Sequence, residues 1–111
     1  MFAKLVHVSV VTILMGSLLA SSALAQAGRA EMAGTVFDQA KAVLPGATVT
    51  AANEATGVTR ETVTGPDGRF VIPTMEPGTY TLRVDLPGFQ NQTRTGLVLQ
   101  VGQELTLDVT L

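Results

Sequence analysis

The sequence predicts an all-β domain, a seven-stranded antiparallel Greek-key β-sandwich preceded by a signal peptide. Three observations carry that expectation. Short segments with period-two alternation of apolar and polar residues recur along the chain, and no window past residue 25 sustains a helical period. Turn residues punctuate those segments at near-regular intervals, most densely in residues 64–89. The first 25 residues differ in composition from everything after them.

That first stretch has the layout of a secretory signal. Lys4 gives a small positive start, residues 5–19 are mostly apolar, and residues 21–25 end in a small-x-small cleavage pattern. The apolar run is shorter than the roughly 20 residues a membrane-spanning helix needs. Cutting after Ala25 gives a mature chain from Gln26, and Ala27 satisfies the same pattern. The expected organisation is therefore a signal peptide over 1–25, a flexible leader over 26–31 and a sandwich domain over 32–111.

The strands follow in order. In the first, Met32, Gly34 and Val36 share a face and the strand ends near Asp38. A loop containing Lys41 closes at Leu44-Pro45-Gly46, and Ala47, Val49 and Ala51 give the second strand its inward face. Residues 53–57 (Asn-Glu-Ala-Thr-Gly) are turn chemistry. Residues 58–64 are β-branched with a weak apolar face, which suits an edge strand. Pro66-Asp67-Gly68 turns the chain into a short fourth strand, residues 69–72, with Phe70 and Ile72 inward and Pro73 as its stop. Pro77-Gly78 and Pro87-Gly88 read as type II turns flanking the fifth strand, where Tyr80, Leu82, Val84 and Leu86 alternate with polar neighbours. A polar segment, 91–95, precedes a sixth strand carrying Leu97, Leu99 and Val101. Residues 101–104 turn the chain into the seventh, with Leu105, Leu107, Val109 and Leu111 inward.

Composition removes whole classes of function. The only histidine, His7, lies in the signal, and the chain has no cysteine, so the mature part has no disulfide, no thiolate and no histidine base. It also lacks serine and tryptophan. Nine acids face six bases (Arg29, Lys41, Arg60, Arg69, Arg83 and Arg94) with no basic cluster, which argues against a nucleic-acid partner.

In order along the chain stand G-T-V-F-D (34–38), L-P-G-A-T-V-T (44–50), A-T-G (55–57), P-D-G-R-F (66–70), P-G-T-Y-T-L (77–82) and P-G-F (87–89). This string resembles the carboxypeptidase regulatory-like domain, a prealbumin-like β-sandwich also grouped with carbohydrate-binding-like folds. The resemblance covers about 32–111 and implies a non-catalytic accessory module. In bacteria such a module often follows the signal peptide of TonB-dependent outer-membrane receptors. It also implies a glycine in the first loop where this chain has Lys41. If that position needs a positive φ, Lys41 occupies it at a modest cost.

Each remaining chemistry has a plainer structural reading beside it. Asp38 and Asp67 are the acids best placed for a metal or for acid/base work, yet an Asp in a turn commonly caps its own backbone. The prealbumin-like hydrolase branch resembles a different pattern, with histidines this chain lacks. A Lys–Asn isopeptide bond would need a buried lysine, and Lys41 lies in a loop. Asn91-Gln92-Thr93 fits a glycosylation sequon that matters only in a eukaryotic secretory route. Carbohydrate binding rests on the two aromatics not clearly inward, Phe37 and Phe89, as possible ligand contacts.

The expected function is an exported, non-catalytic accessory or interaction module with no cofactor. It would act in the periplasm or at the outer membrane, or be secreted, either freestanding or as the N-terminal piece of a receptor, the latter because the chain stops on the inward Leu111. The alternative is a module for a glycan or cell-wall polymer. Open edge strands would also permit pairing with a partner strand.

Overall fold

The computed structural model describes residues 28–111. The expected signal peptide and its cleavage site lie outside the described residues. Eight strands follow: β1 (Ala30–Phe37), β2 (Thr48–Asn53), β3 (Thr59–Val63), β4 (Arg69–Met75), β5 (Gly78–Asp85), β6 (Gln92–Leu99), β7 (Glu104–Thr106) and β8 (Val109–Thr110). They form two sheets. One has the order β3-β2-β5-β6, and the other has the order β4-β1-β7 with β8 also on β1. The β-sandwich class read from the alternation is the observed one.

Period two explains the core. Val49 and Ala51 of β2 and Tyr80, Leu82 and Val84 of β5 all point inward, each at most 4% exposed. They meet Met32 and Val36 of β1 and Phe70, Ile72 and Met75 of β4 across the sandwich. Each of the Val, Leu, Ile, Met and Phe side chains among them contributes about 1.5–3 kcal/mol by leaving water. Between Met32 and Val36 the inward position is Gly34, for a steric reason. A methyl there would overlap the Leu107 backbone carbonyl and come within 3.0 Å of the Phe70 ring. The returning chain is held that close because the Leu107 N–H donates to the Ala33 carbonyl at 2.9 Å.

Four details depart from the sequence reading. Ala30 and Glu31, expected in the leader, open β1, and Ala30 is buried beside Met75, its partner on β4. The fourth strand does not stop at Pro73. It continues to Met75, because Pro73 falls in a bulge of an edge strand, where a missing N–H costs the ladder nothing. The sixth strand begins at Gln92 and ends at Leu99, leaving Val101 exposed in the following turn, where Gly102 has a φ of 69°. The last strand is split into β7 and β8, and both run parallel to β1. Every other strand pair is antiparallel as expected.

Candidate functional site

At one end of the sandwich, the β1–β2 loop faces the β5–β6 turn. Gly88 takes a φ of 88°, which only glycine adopts freely, and the turn closes through the Phe89 N–H to the Leu86 carbonyl at 3.1 Å. Phe89 is thereby left at the rim, 41% exposed. It borders an open groove of about 460 Å³ with Asp38, Gln39, Gln90, Gln92 and Leu111. Phe37, the other aromatic singled out from the sequence, is half-buried and does not line that groove. Its carbonyl accepts the Leu111 N–H at 2.8 Å, which ties the end of the chain to β1.

The loop acids are bonded to their own turns. Asp38 Oδ1 accepts the Ala42 N–H at 2.9 Å, closing the loop on which Lys41 sits exposed. Lys41 has a φ of 65°, the left-handed conformation expected of a position where relatives carry glycine. Asp67 Oδ1 accepts the Arg69 N–H at 3.1 Å within the turn whose Gly68 N–H bonds the Gly65 carbonyl. The Pro77-Gly78 pair differs. Gly78 has a φ of 159°, close to extended backbone, and opens β5 instead of forming a type II turn.

Polar groups not singled out from the sequence also serve the fold. Thr64 is buried, and its hydroxyl donates to the Leu44 carbonyl at 2.7 Å while accepting the Ala47 N–H at 2.9 Å. Asn53 Oδ1 accepts the N–H groups of Ala55 and Thr56 and so caps the β2–β3 turn. Glu54 Oε1 accepts the Gly96 N–H and the Thr81 hydroxyl, each at 2.9 Å. The Gly96 bond first, then that of Thr81, holds the Glu54 carboxyl below its ordinary range. Gly96, with a φ of 69°, lies where β6 carries an extra residue opposite Tyr80 and Leu82. Among the described residues no group of three or more His, Cys, Asp and Glu could hold a metal ion.

The opposite end holds a different arrangement. Arg60 of β3 donates from Nη2 to the Pro73 carbonyl at 3.1 Å and from Nη1 to the Thr74 carbonyl at 3.2 Å, joining the edges of the two sheets. Thr74 has a φ of 57°, rare for a β-branched residue. A cleft of about 230 Å³ opens beside this tether, lined in part by Arg29, Arg60, Glu76 and Tyr80. No sequence signal pointed here, since Arg60 stands on an unremarkable polar strand and a lone threonine does not announce its φ.

Comparison with known proteins places these features in a family frame. The chain matches the family model of the carboxypeptidase regulatory-like domain over residues 31–111. No curated protein matches it. Among solved structures, it is similar to a protein from Bacteroides uniformis described as a candidate carbohydrate binder, with a TM-score of 0.61 and 15% identity. That match covers 74% of this chain and 40% of the other, so this chain spans well under half of its neighbour. It is similar to a chain of a type II cohesin–X-dockerin complex from Acetivibrio cellulolyticus, with a TM-score of 0.58, 21% identity and 73% and 56% coverage. Catechol 1,2-dioxygenase from Acinetobacter radioresistens has a TM-score of 0.60, 13% identity and 77% and 52% coverage. At these identities the likeness is one of fold.

Proposed function

The chain belongs to the carboxypeptidase regulatory-like family, and on that footing we propose that it is a non-catalytic accessory module of the bacterial envelope. One observation carries this reading. The two loop acids that resembled a site, Asp38 and Asp67, bind backbone groups that shape the fold, as do Asn53 and the buried Thr64. Side chains committed in this way hold strands in register and are not poised for a substrate. Residues 28–111 contain no histidine, cysteine or serine, so no nucleophile–base pair of the usual kinds can be assembled from them. The dioxygenase neighbours share the sandwich at 13% identity, which supplies no catalytic group to this chain.

Export rests on the signal-like residues 1–25, and location in the periplasm or at the outer membrane rests on the family's habit of preceding TonB-dependent receptors. Cell fractionation of a Gram-negative host producing the full chain tests both. The expected product lacks its first 25 residues by mass and lies in the periplasmic or outer-membrane fraction. An intact N-terminus in the cytoplasm would sink the export reading.

A second reading is favoured by the Phe89 groove. An aromatic face at the rim, with Gln39, Gln90, Gln92 and Asp38 around it, combines a stacking surface with amide and carboxylate partners for hydroxyls. That supports binding of a neutral glycan. Phe89→Ala is expected to abolish affinity on a polysaccharide panel without changing the melting temperature. Binding untouched by this substitution would remove the groove from consideration.

A further inference from the structure

Successive carbonyls of a regular strand point to opposite edges, so one side chain from another strand cannot bond two in a row. In β4 it does. Pro73 and Thr74 both present their carbonyls to the Arg60 guanidinium, at 3.1 and 3.2 Å. The left-handed turn of the backbone at Thr74, with a φ of 57°, breaks the pleat and makes this possible. The register of β4 on β1 shifts at the same place, between the pairs Ala30–Met75 and Met32–Ile72. A bulge of this kind re-aims chemical groups and is common beside binding sites. A β-branched residue held in this conformation is a strain that the surroundings must impose.

The arrangement fixes a cation without neutralising it. A guanidinium carries five N–H donors, and the two carbonyls take only two of them. The ion pairs among the described residues are Arg83–Asp85 and a long Arg29–Glu76 contact at 3.8 Å, and neither involves Arg60. The cleft of about 230 Å³ at this point has Arg29 and Arg60 on its walls against the single acid Glu76. Tyr80 and Thr56 supply hydroxyls. Tyr80 donates to the Glu76 carbonyl at 2.7 Å, which leaves its oxygen able to accept. Thr56 Oγ1 accepts the Val58 N–H at 3.3 Å, which leaves its own proton to give. The volume is below the ~300 Å³ of pockets for larger ligands, which suits a single ring-sized unit.

We propose that this cleft binds the carboxylate of an acidic sugar unit, a uronate, with Arg60 as the pre-positioned cation and the Tyr80 and Thr56 hydroxyls meeting ring hydroxyls. A guanidinium fork matches a planar carboxylate in geometry, and its fixed position lowers the ordering cost of binding. Glu76 competes for the same positive charge. The site lies apart from the Phe89 groove and does not depend on it.

Isothermal titration calorimetry on the exported full chain, with glucuronate, glucose and sulfate as separate titrants, tests this directly. Glucuronate is expected to bind, more weakly as salt rises, and glucose, the same ring without the carboxylate, is not. Arg60→Gln should weaken glucuronate at least about tenfold, the usual effect of losing a charged hydrogen bond. Because Arg60 also joins the two sheets, Arg29→Gln provides a second variant without main-chain bonds, and it too should weaken binding while the melting temperature holds. Glu76→Gln should tighten binding, and Phe89→Ala should leave it unchanged. Absence of glucuronate heat, equal binding of glucose, or sulfate binding as tightly as glucuronate would each overturn the proposal. So would affinity indifferent to both arginine variants.

Discussion

The two sheets of this sandwich are built to different standards of regularity. In β3-β2-β5-β6 the register between β2 and β5 runs unbroken from Thr48–Asp85 to Asn53–Tyr80, and every second residue is core. Its one irregularity, the bulge at Gly96, is pinned by Glu54 from a neighbouring turn. In β4-β1-β7 the chain departs from ideal geometry repeatedly. Leu107 crosses over Gly34, the last segment returns parallel and split, and β4 buckles at Thr74. The regular sheet is a scaffold that any alternating sequence could supply. The irregular one depends on particular residues, and one of its irregularities, at Thr74, fixes a charge at the surface.

The contrast can be broken most severely at Gly34. Gly34→Ala places a methyl on a backbone carbonyl that cannot rotate away, so a loss of about 3 kcal/mol or more is expected in denaturant unfolding. A variant of wild-type stability would mean the Leu107 crossing is not held tightly. Thr64→Val comes next. It removes the hydroxyl that serves both Leu44 and Ala47 and leaves buried backbone groups unpaired, for about 2 kcal/mol. Thr74→Gly works in the opposite direction. Relief of the left-handed strain should stabilise by about 1 kcal/mol, a rise of about 4 °C in Tm. An unchanged or lower Tm would show that the threonine is not strained there.

The smallest effect concerns Glu54. Its folded carboxyl titrates below the ordinary value, so its contribution to stability is present above the unfolded pKa and lost as pH falls through the folded one. Glu54→Gln should lower the Tm slightly at neutral pH and flatten the acid side of the Tm–pH profile below about pH 4.3, so that the two proteins converge in acid. An identical acid limb in both proteins would remove Glu54 as a pin on the bulge.

Legibility from sequence follows the same division. Tyr80, Leu82 and Val84, with Val49 and Ala51, announce their face by strict alternation, and all are buried. Glycines 46, 68 and 88 mark turns because their positive φ is one that glycine adopts without the steric cost a side chain would add. The left-handed Lys41 was anticipated only by the resemblance to relatives with glycine there. Residues 92–96 of β6 carried no readable pattern, because an edge strand with exposed polar residues has no buried face to declare itself. Pro73 suggested a strand end because the rule concerns ladder hydrogen bonds, and at the bulge no ladder bond is required of it. The two aromatics, Phe37 and Phe89, looked alike in sequence, and only Phe89 borders a groove. Arg60 was invisible as a site because its role depends on a carbonyl direction set fourteen residues away by a strained backbone, and local sequence does not encode that.

The central claim is that binding belongs to the irregular margins of the sandwich and that the regular sheet is scaffold. Amide-resolved NMR of the exported chain, titrated with neutral and acidic oligosaccharides, tests it most directly. Acidic ligands are expected to shift Arg60, Thr74, Met75 and Glu76, neutral ones the Phe89 end, and neither the outward residues Thr50, Arg83 and Thr93 of the regular sheet. Shifts concentrated on those three residues, or no shifts with any ligand, would contradict the account.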